Sequence, residues 1–128
     1  MRHHEQPVLY AVDFGQCALL DTFDGEALST VFATVLRSAG ATIVQEVSHA
    51  YPGAGLTCVL VLRESHAVLH TWPETGTVNV DIFSCSTRLK SLAAIEQIGR
   101  LFGARHVSVQ EIRRADGHAR ERPVAVGL

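Results

Sequence analysis

The sequence lacks most of what would place a chain in a special class. No apolar stretch approaches the roughly 20 residues that span a bilayer. The stretch from Thr57 to Leu62 is among the longest, and the opening Met1-Arg2-His3-His4-Glu5-Gln6 has no signal-peptide core. A cytoplasmic protein without a membrane partner is expected. Cysteine is scarce and odd in number: Cys17, Cys58 and Cys85 form neither a zinc pattern nor a disulfide framework, so each is buried filler or a working thiol. Charge of one sign is also missing. A formal net charge of -2 with no long basic run argues against a nucleic-acid binder whose affinity comes from neutralising phosphates. The basic cluster Arg113, Arg114, Arg120 and Arg122 is interleaved with Asp116 and Glu121 and reads as a solvated tail.

What is present suits one soluble globular domain, with 47% hydrophobic and 19% charged residues in a chain of 128. Pro7 to Phe14 reads as a first strand, closed around Gly15. Asp24 precedes a helix whose apolar stripe is Leu28, Val31, Phe32, Val35 and Leu36, ending near Gly40. Four β-rich runs follow, at Ala41–Val47, Thr57–Leu62, Ala67–Trp72 and Thr77–Phe83, with a loop at Tyr51–Gly55. A second helix of about 15 residues carries Leu89, Ala93, Ile95, Ile98, Leu101 and Phe102, and His106–Ile112 closes as a strand. The order β-α-β-β-β-β-α-β, with no βαβαβ alternation, predicts a two-layer α/β sandwich: a mostly antiparallel sheet with two helices on one face. The other face is left for a partner. The only low-complexity candidate is the polar tail from Ala115 to Leu128.

Chemistry concentrates between Arg63 and Glu74, where a hydroxyl, two imidazoles, an indole and two carboxylates share twelve residues. Zinc binding by His66 and His70 fails on geometry. Four residues along a strand separate the two rings by roughly 13 Å, and only a helix would bring them to one metal. A hydrolase built on Ser65 or Cys85, with Asp81 as orienter, lacks a Gly-x-Ser-x-Gly elbow and a helix N-terminus behind the serine. Strand parity adds a constraint. Ser65 and His70 are five apart, so on an unbroken strand they face opposite sides at roughly 16 Å. Either the backbone turns sharply at Glu64-Ser65, or His70 serves the Ser65 of another subunit.

Glu64-Ser65-His66, His70-Thr71-Trp72-Pro73-Glu74, Gly76, Val80-Asp81-Ile82-Phe83 and Cys85 together resemble the core of bacterial and archaeal S-adenosylmethionine decarboxylase proenzymes. The resemblance is close from His49 to Ser86. It implies self-cleavage between Glu64 and Ser65 into residues 1–64 (the β chain) and 65–128 (the α chain), with Ser65 converted to a pyruvoyl group and no metal or pyridoxal phosphate. That carbonyl forms a Schiff base with the substrate amine and takes up the electrons released with CO₂. The family pattern implies His70 as the processing proton acceptor, Cys85 as the proton donor in decarboxylation and Thr57, in place of a family serine, as a processing hydroxyl. It further implies Tyr51, where a phenylalanine is usual, as the residue stacking on adenine, and Glu74 as the carboxylate for the ribose hydroxyls. The sites are expected at the interface of a dimer of cleaved αβ protomers, and the product is an aminopropyl donor for spermidine biosynthesis.

The chain departs from the pattern at Val12-Asp13-Phe14-Gly15-Gln16-Cys17, at Thr75-Gly76-Thr77-Val78-Asn79 and at Ser86. Because these positions surround the substrate, L-ornithine and L-arginine, on which relatives act, stand as alternatives to S-adenosylmethionine. A non-catalytic partner subunit and a small-molecule binding module are the readings outside this class. Cys58 and Cys17 read as packing, His49 as a partner of Tyr51, and His106 and His118 as ordinary strand or surface residues.

Overall fold

Alternation of buried and exposed side chains builds one sheet. The computed structural model describes residues 7–53, 55–114 and 118–124. The opening hexapeptide, Asp116 and the ends of the 115–128 tail lie outside that range, as do the side chains of 118–120. The strands are β1 (Val8–Gly15), β2 (Ile43–Ala50), β3 (Leu56–Leu62), β4 (Ser65–Trp72), β5 (Thr77–Ser84), β6 (His106–Arg113) and β7 (His118–Glu121). The helices are α1 (Gly25–Ser38) and α2 (Ser91–Leu101). The sheet order is β2-β3-β4-β5-β1-β6-β7, and every pairing is antiparallel. The expected two-layer sandwich is therefore observed.

One face of the sheet is dry. Leu56, Cys58, Leu60 and Leu62 of β3, Ala67 and Leu69 of β4, and Val78, Val80 and Ile82 of β5 are buried beneath Phe32, Leu36, Ile95 and Ile98 of the two helices. Truncating a core side chain such as Phe32 to alanine would cost about 3–5 kcal/mol. Asp24 caps α1, its carboxylate accepting from the Ala27 amide at 2.7 Å. Just past the helix C-cap stands Gly40, whose φ of +110° suits only glycine, and a Cβ there would lie 2.2 Å from the Arg88 carbonyl oxygen. That close approach fastens the chain before α2 to the end of α1, and the Lys90 amide also donates to the Ala39 carbonyl at 2.8 Å.

Two expectations are corrected. The second helix spans eleven residues rather than about fifteen, because Leu89 is buried in the preceding loop and Lys90 already serves as the N-cap. The tail is not wholly solvated either. His118–Glu121 pairs with β6, and Arg113 and Arg122 lie 3.0 Å and 3.2 Å from the carboxylate of Glu111, a side chain only 3% exposed. A buried carboxylate requires such partners, so part of the basic cluster is structural.

Candidate active site

Leu62 pairs directly with Ser65, so Arg63 and Glu64 form a two-residue hairpin turn. Glu64 adopts φ +66°, a left-handed conformation uncommon outside glycine. The ladder between β4 and β5 pairs His66 with Phe83, and continuing that register brings Cys85 opposite Glu64. The Cys85 thiol accordingly donates to the Glu64 carbonyl oxygen at 3.7 Å. A cleft of about 380 Å³ opens here, lined by Arg63, Glu64, Ser65, Cys85, Ser86 and Arg88 among others. Glu64, Ser65 and Cys85 are thus gathered within one protomer, at one end of β4.

His70 is not among them. The bend falls at Arg63-Glu64, before Ser65, and β4 runs unbroken from Ser65 to Trp72. Pairing of Ser65 with buried Leu62 puts the serine on the helix-covered face, whereas His70 pairs with Thr57 on the open face. Five strand residues separate them by roughly 16 Å. The first of the two alternatives, a bend that joins Ser65 to its own His70, is therefore absent from this fold.

The open face carries a second cluster. Thr57 Oγ1 lies 2.5 Å from His70 Nδ1 and 3.0 Å from the Tyr51 hydroxyl. The His70 ring is flanked by Trp72 at 4.4 Å and Tyr51 at 5.6 Å between centroids, and His49 stands 4.7 Å from Tyr51. Trp72 Nε1 donates to Asn79 Oδ1 at 2.6 Å, and Asn79 Nδ2 donates to Asp13 Oδ1 at 2.7 Å. Glu74 is exposed in the turn after β4. Trp72 lies seven residues beyond Ser65, roughly 23 Å along the strand, so Glu74 and Tyr51 sit at the opposite end of β4 from the hairpin. Asp13 and Asn79, read only as departures in the sequence, join this cluster through a cross-strand register that no single-strand pattern reveals.

Electrostatics separates the remaining groups. Cys17 and Cys58 are buried, and burial pushes the Cys17 thiol up to about 11, against a smaller opposing hydrogen bond with the Val78 backbone. Cys85 is the partly exposed thiol. Partial burial raises the carboxyl of Asp81 above the usual range, the Asp13 carboxylate adds to the rise, and the His66 imidazole opposes it. His66 and His70 both point from β4 to the open face, four residues apart, and among the described residues no group of three or more His, Cys, Asp or Glu is arranged to hold a metal ion. No helix among them is long and apolar enough to cross a membrane.

Residues 9–115 match the family described as S-adenosylmethionine decarboxylase. The S-adenosylmethionine decarboxylase proenzyme of Pelotomaculum thermopropionicum is 32% identical over 91 residues, 71% of this chain and 72% of that one. The proenzyme of Clostridium tetani is 30% identical over 110 residues, 86% of this chain and 85% of its own length. Among solved structures, the adenosylmethionine decarboxylase of Aquifex aeolicus VF5 shares the fold with a TM-score of 0.75 at 21% identity, covering 96% of this chain and all of that one. With the Glu64-Ser65 hairpin beside Cys85 and a match extending over most of its length, the chain belongs to the S-adenosylmethionine decarboxylase family.

Proposed function

We propose that the chain is a proenzyme that cleaves itself between Glu64 and Ser65 and, once matured, decarboxylates S-adenosylmethionine to an aminopropyl donor for spermidine synthesis. The observation that carries this reading is the Cys85 thiol 3.7 Å from the Glu64 carbonyl oxygen, at a hairpin whose Glu64 is left-handed. A donor at that oxygen stabilises the negative charge that develops when Ser65 Oγ attacks the carbonyl carbon. The attack converts the peptide bond to an ester. Removal of the Ser65 α-proton then expels the Glu64 carboxylate, and the dehydroalanine left behind tautomerises and hydrolyses to pyruvoyl and ammonia. The hairpin fits this group, since Ser65 opens onto the cleft beside a thiol and needs no metal or pyridoxal phosphate. A pyruvoyl carbonyl condenses with a substrate amine and accepts the electrons released with CO₂.

His70 is the proton acceptor in processing, held at Nδ1 by the Thr57 hydroxyl. It acts on the Ser65 of a partner, because its own lies on the other face. The working unit is a symmetric dimer in which the hairpin end of β4 in one protomer meets the helix-free face of the other, where Val47 and Trp72 are 51% and 44% exposed. Tyr51 and Glu74 serve the adenosyl group there, and Cys85 delivers the proton that replaces CO₂. The three free thiols suit a reducing, cytoplasmic setting.

Intact-mass measurement combined with CO₂ release tests the reading. Purified protein is expected as chains 1–64 and 65–128, with Ser65→Ala remaining whole, and with release from carboxyl-labelled S-adenosylmethionine exceeding that from ornithine and arginine. Cleavage of Ser65→Ala at this bond would remove the nucleophile. Faster release from an amino acid would leave the processing intact and change the substrate.

A further inference from the structure

Two departures from the family pattern, Asp13 and Asn79, face each other across the ladder between β1 and β5. Asn79 in turn pairs with His70, and His70 with Thr57, so Thr57, His70, Asn79 and Asp13 form one row across four strands on the open face. The Asn79 amide is fixed at both ends. Its Oδ1 accepts from the Trp72 indole at 2.6 Å, and its Nδ2 donates to Asp13 at 2.7 Å. Turning the amide over would oppose N–H to N–H and oxygen to carboxylate, so the acid dictates the orientation. The Asp13 bond is charge-assisted, and it holds the acceptor that holds the indole. The indole packs against the imidazole of His70, whose other side is held by Thr57.

We propose that Asp13 and Asn79 are positioning residues that set the imidazole of His70 for processing through the indole of Trp72. The proposal rests on the reading of His70 as the processing proton acceptor. A fixed neighbour matters because proton transfer from carbon demands alignment, and displacement of a reacting group by an ångström can cost about a hundredfold.

The chain offers its own probe, since Trp72 is its one tryptophan and gives one indole N–H resonance. That resonance is read on uncut full-length chain in a Ser65→Ala background, and cleavage is timed by intact mass during cell-free synthesis with Ser65 restored. Asn79→Ala is expected to move the indole signal and to slow cleavage roughly tenfold to a hundredfold, with the melting temperature of the uncut chain little changed. Asn79→Asp should slow cleavage similarly by setting two carboxylates together. Asp13→Asn combined with Asn79→Asp rebuilds both hydrogen bonds with the charge moved one residue, and should restore the rate to within about threefold. A contact that merely supports the fold would alter melting and leave the cleavage rate alone. Should Asn79→Ala fail to fold, the exchanged pair and its two single variants carry the same test. An indole signal unmoved by Asn79→Ala, an unchanged cleavage rate, or an exchanged pair that regains the signal without the rate would each overturn the proposal. His70→Ala tells the two failures apart: undiminished cleavage there defeats the underlying reading, whereas lost cleavage there beside normal cleavage in Asn79→Ala defeats the positioning role alone.

Discussion

Cys85 lies one residue past the end of β5, where the strand register brings it across from Glu64. In the proposed processing, the same thiol stands at the bond to be cut and, after cutting, lines the cleft that holds the group formed from Ser65. Cys85→Ala is expected to slow self-cleavage and, in whatever protein matures, to lower turnover by about a hundredfold or more, the usual contribution of a placed general acid. Product analysis by mass should also show misprotonation and progressive inactivation. Normal kinetics with normal product would take Cys85 out of both steps. Asp81 gives a prediction of opposite kind. Its carboxyl titrates higher in the fold than in the unfolded chain, by partial burial and then by Asp13. Its contribution to stability is therefore present below the ordinary aspartate range and is lost as pH rises through the elevated value. Asp81→Asn should then raise the melting temperature more at pH 7 than at pH 4, and an equal effect at both would contradict the shift.

At the scale of elements, Gly40 is where two segments meet. Gly40→Ala would force a Cβ to 2.2 Å from the Arg88 carbonyl oxygen at φ +110°, and the loop leading from Cys85 to α2 would have to move. A loss of roughly 1–3 kcal/mol is expected in denaturant titration, together with slower cleavage, because that loop lines the cleft at Ser65. Elements differ in how plainly the sequence announces them. The strands β3, β4 and β5 are rich in β-forming residues with one side of each buried, and α1 carries both a cap and a stripe, so each is legible from its own residues. Leu89 misleads, because its apolar side chain continues the stripe of α2 yet is buried from a loop. The strand at His118–Glu121 has no apolar pattern and owes its pairing to β6. The Glu64-Ser65 motif could be read along the chain, whereas the row from Thr57 to Asp13 depends on the alignment of four strands, which is a property of the sheet.

For the whole molecule, the helix-free face determines how processing can be organised. Ser65 and His70 lie on opposite faces of one sheet, and Val47, Val61 and Trp72 leave apolar surface uncovered on the His70 side. In the proposed dimer each protomer lends its His70 to the other. Co-expression of Ser65→Ala chains with His70→Ala chains should then yield cleaved product, because one of the two sites in a mixed dimer regains both groups. Only intact chains in demonstrably mixed dimers would mean that processing stays within one protomer.

The strand order has its own bearing on the cut chain. Residues before the bond supply β1, β2 and β3, and those after it supply β4 to β7, but β1 is inserted between β5 and β6. The two products of the proposed cut are therefore interleaved, and neither can leave without opening the sheet at three seams, β3 against β4, β5 against β1 and β1 against β6. Before the cut, recovery from unfolding is a first-order event in a single chain. Afterwards it requires two pieces to find each other, so its success depends on concentration. The proposed maturation would turn a fold that can be reached repeatedly into one best reached once, with the intact chain serving as the template on which its own fragments are assembled.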